Sequence, residues 1–240
     1  LAETTQASVE RIAWDDFVTQ LDWRQGEHIT LIGPTGSGKT TLALALLPMR
    51  QYVIAYGTKP TGKDKTLMSL IKRDRWRLVQ QLAKMPKVIL PGRAMRIVFW
   101  PKYRSPADQP MQAWEIANSL QTAFTAGGWC LFVDETWWFT HKLGLKGWLE
   151  ALWSQGRSVG ISVVAGTQRP RYIPLLAYDQ ATHVFFWRDN DAENLKRISG
   201  MNGLNAALIR STVATLAPHE VLYVNTRTSQ MLVTKAPARK

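Results

Sequence analysis

Apolar residues along this chain fall into short dense runs, set apart by stretches rich in glycine, proline and charge. Run length then separates strands from helices. His28–Ile32, Tyr52–Tyr56 and Met95–Phe99 are short, apolar and bounded by turn residues, and read as strands. The same reading applies to 129–133, 161–165 and 183–187. Helices are expected at 41–47, where Pro48 stops the run, at 111–126, ended by Gly127 and Gly128, and at 145–154 and 191–198. Ahead of these, Ile12, Trp14, Phe17, Val18 and Leu21 recur at mixed helical spacing within 9–21, which predicts a short helix packed on the sheet edge. Residues 220–224 and 231–233, separated by a turn, predict a closing hairpin. Strand and helix alternate through the middle of the chain. Parallel neighbours need such crossovers, so the pattern predicts an α/β protein with a mostly parallel sheet flanked by helices and a C-terminal β-hairpin at its edge.

The first strand runs straight into Gly33-Pro34-Thr35-Gly36-Ser37-Gly38-Lys39-Thr40, which has the spacing of a phosphate-binding P-loop. Each position has a physical task. Gly36 and Gly38 let the backbone turn its N–H groups onto phosphate oxygens, and the helix that follows adds the positive end of its dipole. Lys39 is expected to reach the β- and γ-phosphates. Thr40 offers a hydroxyl to a magnesium ion, and Thr41 is placed for the α-phosphate. This predicts ATP and Mg2+ as cofactors, bound by residues Gly33 to Thr41.

A P-loop alone does not say whether the phosphoryl group goes to water or to another acceptor. Leu131-Phe132-Val133-Asp134-Glu135 narrows the choice, because an apolar strand ending in two acids is the Walker B pattern. Asp134 is expected to hold the magnesium and Glu135 to polarise the attacking water. Hydrolysis is then the natural reaction.

Downstream, Arg157, Gly160-Ile161, an apolar strand and Thr167-Gln168-Arg169-Pro170 follow in order. The segment resembles that of the FtsK/HerA superfamily of ring-forming translocases, in which a polar residue at the strand end senses the γ-phosphate. On that resemblance Gln168 is the sensor. An amide there can donate to the γ-phosphate and accept from the lytic water. The resemblance spans about 28–198 and implies a RecA-like P-loop NTPase core, an arginine supplied in trans and a hexameric ring. One departure stands out: His183 occupies the place where FtsK-type translocases tend to carry an arginine. Arg188, Arg157 and Arg169 are therefore the candidates for the trans role, each of which could equally be a surface charge. The chain is similar to the small genome-packaging ATPases of this superfamily. It is expected to be a single domain, 1–240, with a helical extension (1–26), the ATPase core (27–200), a C-terminal helix and hairpin (201–234) and a basic tail (235–240).

Charge bears on the load. A net charge of +12 attracts polyanions, which favours double-stranded DNA as partner over a passive basic surface or an anionic lipid. The reading is an ATP-hydrolysing motor that translocates double-stranded DNA, in genome packaging or DNA transfer, with a viral or membrane portal as a further partner. Two others stay open: an ATPase for protein export or filament assembly, and a slow nucleotide-gated binding module. With one cysteine, Cys130, neither an internal disulfide nor a zinc cluster can form, so metal chemistry comes with the nucleotide. No apolar run approaches a membrane span of about 18 residues and no signal peptide is evident, so the expected site is the cytoplasm, or the host cytoplasm or virion if viral. Tryptophans crowd the second motif at Trp129, Trp137, Trp138, Trp148 and Trp153; core or subunit-interface packing is the leading reading and base stacking the alternative.

Overall fold

A computed structural model describes residues 9–168, 176–189 and 205–237. Its strands are β1 (Glu10–Arg11), β2 (His28–Ile32), β3 (Tyr52–Tyr56), β4 (Arg77–Val79), β5 (Met95–Phe99), β6 (Cys130–Val133), β7 (Ser162–Thr167), β8 (Ala181–Trp187), β9 (Val221–Asn225) and β10 (Met231–Thr234). Between them lie α1 (Trp14–Gln20), α2 (Lys39–Leu46), α3 (Lys65–Lys72), α4 (Gln109–Ala126), α5 (Lys146–Gln155), α6 (Leu176–Asp179) and α7 (Ala206–Thr215). All ten strands join one sheet in the order β1-β10-β9-β8-β2-β7-β6-β3-β5-β4. Only β9 runs against the rest, pairing antiparallel with both β8 and β10.

Period-two alternation splits each central strand between two cores. Ile29 and Leu31 of β2, Val53 and Ala55 of β3, and Cys130 and Phe132 of β6 face α1, α2 and α3. Ile54 and Tyr56 of β3, with Leu131 and Val133 of β6, face α4, α5 and α7. Both faces are covered, which is why these strands read as continuous apolar runs.

Three features depart from the sequence reading. Helix α1 lies on a face of the sheet rather than at its edge: Phe17 packs edge-on against Phe185 and Tyr223, with ring centroids 5.9 and 5.0 Å away. The edge beyond the hairpin is taken by β1, which pairs with β10. Helix α3 was not anticipated, because lysines at both ends hide its apolar stripe. Asp64 caps it, accepting from the N–H groups of Thr66 and Leu67, and Leu67 and Leu70 are buried. The third is His183, whose ring is buried; its Nε2 meets Glu27 at 3.1 Å and its Nδ1 meets the Tyr223 hydroxyl at 2.9 Å. Arg227 adds a second partner to the same carboxylate. The histidine stands where the resemblance expects an arginine because it is part of this buried network. The predicted helix at 191–198 and the end of the tail lie outside the described residues. No helix among the described residues is long and apolar enough to cross a membrane.

Trp129 and Trp153 are buried in the core, as the packing reading expected, whereas Trp137 and Trp138 are half-buried. Trp137 stacks on His141 at 5.4 Å within the turn that follows the acidic pair.

Candidate nucleotide site

Parallel strands bring their C-terminal ends to one rim of the sheet, where ligands of open α/β sheets bind. From β2 the chain enters the P-loop, whose first residue is tied to the neighbouring strand by Gly33 N–H donating to Thr167 O at 3.2 Å. Gly36 (φ 78°) and Gly38 (φ 112°) adopt the left-handed backbone that glycine permits. Gly33 is required for another reason. A Cβ there would lie 2.7 Å from the Cβ of Trp187, which packs under the loop from the end of β8.

Lys39 opens α2 and is 7% exposed. Its ammonium donates to the carbonyls of Gly33 (2.5 Å) and Pro34 (2.8 Å). Burial holds its pKa below the usual lysine value, and the charges of Asp134 and Glu135 oppose that shift. Next to it, Thr40 Oγ1 donates to Asp134 Oδ1 at 2.9 Å. A hydroxyl and a carboxylate in contact are hard oxygen donors of the kind Mg2+ selects, so the residues present fit the ion. Thr41 occupies the third position of α2.

Gln168, one residue past β7, joins the two motifs. Its Oε1 accepts from Thr35 Oγ1 of the P-loop at 2.8 Å. Its Nε2 donates to Glu135 Oε2, also at 2.8 Å. The bridge follows from strand order, since β7 lies between β2 and β6. Glu135 is raised above the usual carboxylate range by burial first and by the charge of Asp134 second, and the Gln168 bond partly offsets both. Burial likewise raises Asp134, against the pull of its bond from Thr40. A carboxylate with raised proton affinity, oriented by an amide and facing a phosphate loop, is equipped to take a proton from water.

The three arginines part company. Arg188 is exposed at the end of β8, beside its own P-loop. Arg157 sits at the opposite rim, in the 3-10 turn Gly156–Val159 that precedes β7. Arg169 lies outside the described residues.

Sequence reasoning passed over three neighbours of the site. Trp187 looked like the end of a core strand. His219 had no motif to mark it, yet its Nδ1 meets Ser37 O at 3.3 Å. Lys59 was one lysine in a charged loop. It pairs with Asp64 at 2.7 Å, and its charge acts on both Asp134 and Glu135 because β3 lies beside β6.

No protein-family model and no curated protein sequence matches the chain. Solved structures do. The genome packaging NTPase B204 from Sulfolobus turreted icosahedral virus 2, in complex with ATP-gammaS, aligns with a TM-score of 0.65 at 16% identity, covering 90% of this chain and 100% of that one. VirB4 of Thermoanaerobacter pseudethanolicus aligns at 0.64 and 12% identity, over 88% and 89% of the two chains. Thermomonospora curvata EccC (ATPases 2 and 3), in complex with a signal sequence peptide, aligns at 0.58 and 14% identity, over 92% of this chain and 38% of that one. The chain has the mixed α/β, mostly parallel P-loop NTPase fold of these proteins.

Proposed function

We propose that this chain is an ATP-hydrolysing motor that moves double-stranded DNA, working as a hexameric ring. The observation that carries hydrolysis is the continuous path Thr35–Gln168–Glu135, which links the P-loop to the candidate base by two hydrogen bonds.

In this reading the P-loop amides and Lys39 hold the triphosphate, while Thr40 and Asp134 hold Mg2+. The ion supplies charge neutralisation at the phosphate oxygens. Water attacks the γ-phosphorus, the bond to the β–γ bridging oxygen breaks with its electrons leaving on ADP, and Glu135 takes the proton from the water. Gln168 orients Glu135 and senses the γ-phosphate. Because the same amide contacts Thr35 and ends β7, loss of that phosphate is felt along a strand of the sheet.

The DNA load is supported by the charge of +12 and by the likeness to B204, a DNA-packaging ATPase. A ring accords with chemistry in which an arginine from a neighbour stabilises the transferring phosphoryl. Purified protein is expected to hydrolyse ATP faster with duplex DNA, and to lose turnover in Lys39→Ala and Glu135→Gln. Equal turnover with and without DNA at low salt would sink the DNA motor and leave the ATPase.

A second reading, an ATPase that drives protein export, is favoured by the likeness to EccC, which was solved with a signal sequence peptide. Salt separates the two. Binding through phosphates weakens steeply as salt rises, because counterions are released.

A further inference from the structure

Strand order dictates how a nucleotide lies across this site. The groups that act on the γ-phosphate, Asp134, Glu135 and Gln168, stand at the ends of β6 and β7, all on one side of β2. A triphosphate held over β2 with its γ end there sends its other end out over β8, on the opposite side. In that direction the P-loop faces a cleft of about 250 Å³.

The cleft is lined by P-loop residues 34–37, by Trp187 and Arg188 at the end of β8, and by the loop 217–220. That loop reaches this rim because β9 is antiparallel to β8, which brings the start of β9 level with the end of β8 and pairs Val221 with Trp187. Two polar groups here are buried without a partner. One is the indole N–H of Trp187, a ring only 3% exposed, which lies 3.5 Å from where a Cβ on Gly38 would stand. The other is the Ser37 hydroxyl. Buried polar groups are nearly always paired in folded proteins, so two orphans against one loop mark a place where a ligand is received. His219 adds a held conformation: it takes a left-handed backbone, φ 66°, unusual for a side chain other than glycine, and from it meets Ser37 O. The nearby carboxylate of Glu220 is engaged in closing its own turn, accepting from Ala217 N–H at 2.8 Å.

We propose that this cleft takes the ribose and base of the bound nucleotide, and that Arg188 serves the nucleotide of its own subunit rather than a neighbour's. The inference rests on the ATPase reading above. Pro218 and His219 supply an apolar and aromatic wall for the base. A planar guanidinium stacks on a base face and donates to ribose hydroxyls at the same time, which a lysine could not do. The trans role then falls to another arginine.

Inorganic tripolyphosphate, which has the phosphates without the nucleoside, separates the subsites. In the full chain, Arg188→Ala is expected to weaken binding of ADP and of a non-hydrolysable ATP analogue about tenfold, while tripolyphosphate binding stays within about twofold. In turnover the loss falls on KM rather than kcat. Equal weakening of tripolyphosphate would overturn the nucleoside assignment, and so would unchanged binding of every ligand. A fall in kcat of about a thousandfold at constant KM would mark an arginine acting on the transferring phosphoryl and overturn the proposal. Lys39→Ala is the control for the site itself, because it must weaken tripolyphosphate and nucleotide alike. If it weakens neither, the P-loop reading fails, an outcome distinct from any produced by Arg188.

Discussion

The Gln168 amide donates to the Glu135 carboxylate across 2.8 Å, although 33 residues separate them. The bond fixes which face of Glu135 is turned toward the P-loop, and it competes with the burial that raises Glu135. Gln168→Ala is therefore expected to lower kcat by about a hundredfold, the usual scale for one oriented polar group, with a smaller change in KM for ATP. Steady-state kinetics decide it. A kcat within twofold of the parent would show that Gln168 is a strand-end residue and nothing more.

Two glycines make opposite predictions. Gly166 in β7 lies so close to the Walker B strand that a Cβ would stand 2.5 Å from the Asp134 carbonyl, a backbone atom that cannot swing aside. Gly166→Ala should cost about 1–3 kcal/mol of stability and displace the carboxylates. Gly147 in α5 has nothing within 4 Å of its Cβ position. Gly147→Ala should raise stability by about 0.5–1 kcal/mol, because glycine is the costlier residue inside a helix. Thermal melts that moved in the same direction for both variants would refute the geometry.

His28 opens β2 with its ring buried, its Nδ1 accepting from Val163 N–H at 3.0 Å, and burial pushes its pKa down to about 4. The folded protein thus holds this proton less tightly than the unfolded chain, whose histidine titrates at about 6.5. Its contribution to stability is whole above that unfolded value and drains away as pH falls toward 4, by on the order of 3 kcal/mol. In His28→Asn, where an amide oxygen can accept the same bond, the decline in melting temperature from pH 7 to pH 5 should be shallower. Parallel declines would assign the acid sensitivity to other groups.

At the far rim of the sheet, Glu27 is 2% exposed and is held by His183, Arg227 and the N–H of Arg24. Glu27→Ala leaves those donors facing a space without an acceptor, and a loss of about 3–5 kcal/mol is expected in urea denaturation. Arg227→Ala should cost less, since that side chain is one-third exposed and water can replace it. The reverse order would mean that the network is not centred on the carboxylate.

The P-loop was legible because everything it needs is local. Its glycines, its lysine and its hydroxyl sit within eight residues, between a strand and a helix whose apolar runs are equally local. The acidic pair was legible for the same reason. Helix α3 was not, because Leu67 and Leu70 become a buried stripe only once a sheet face exists to receive them. His183 misled for a related reason: nothing near it in sequence announces Glu27, 156 residues away. Trp187 and His219 lacked a signal altogether, since each gains its meaning from pairing with β9, a strand distant along the chain.

By itself, the sequence determined the phosphate loop, the acidic strand end, the amide after β7 and the alternation that predicts a parallel sheet. These are patterns of spacing, set by glycine's freedom at Gly36 and Gly38 and by the two-residue period of a strand. Tertiary structure alone decided who stands beside whom. Placing β7 between β2 and β6 brought Gln168 between Thr35 and Glu135, and reversing β9 brought His219 onto the loop and left Arg188 beside its own site. Such neighbours follow from which strands share hydrogen bonds across the whole sheet, a competition among distant segments that no local run of residues can express.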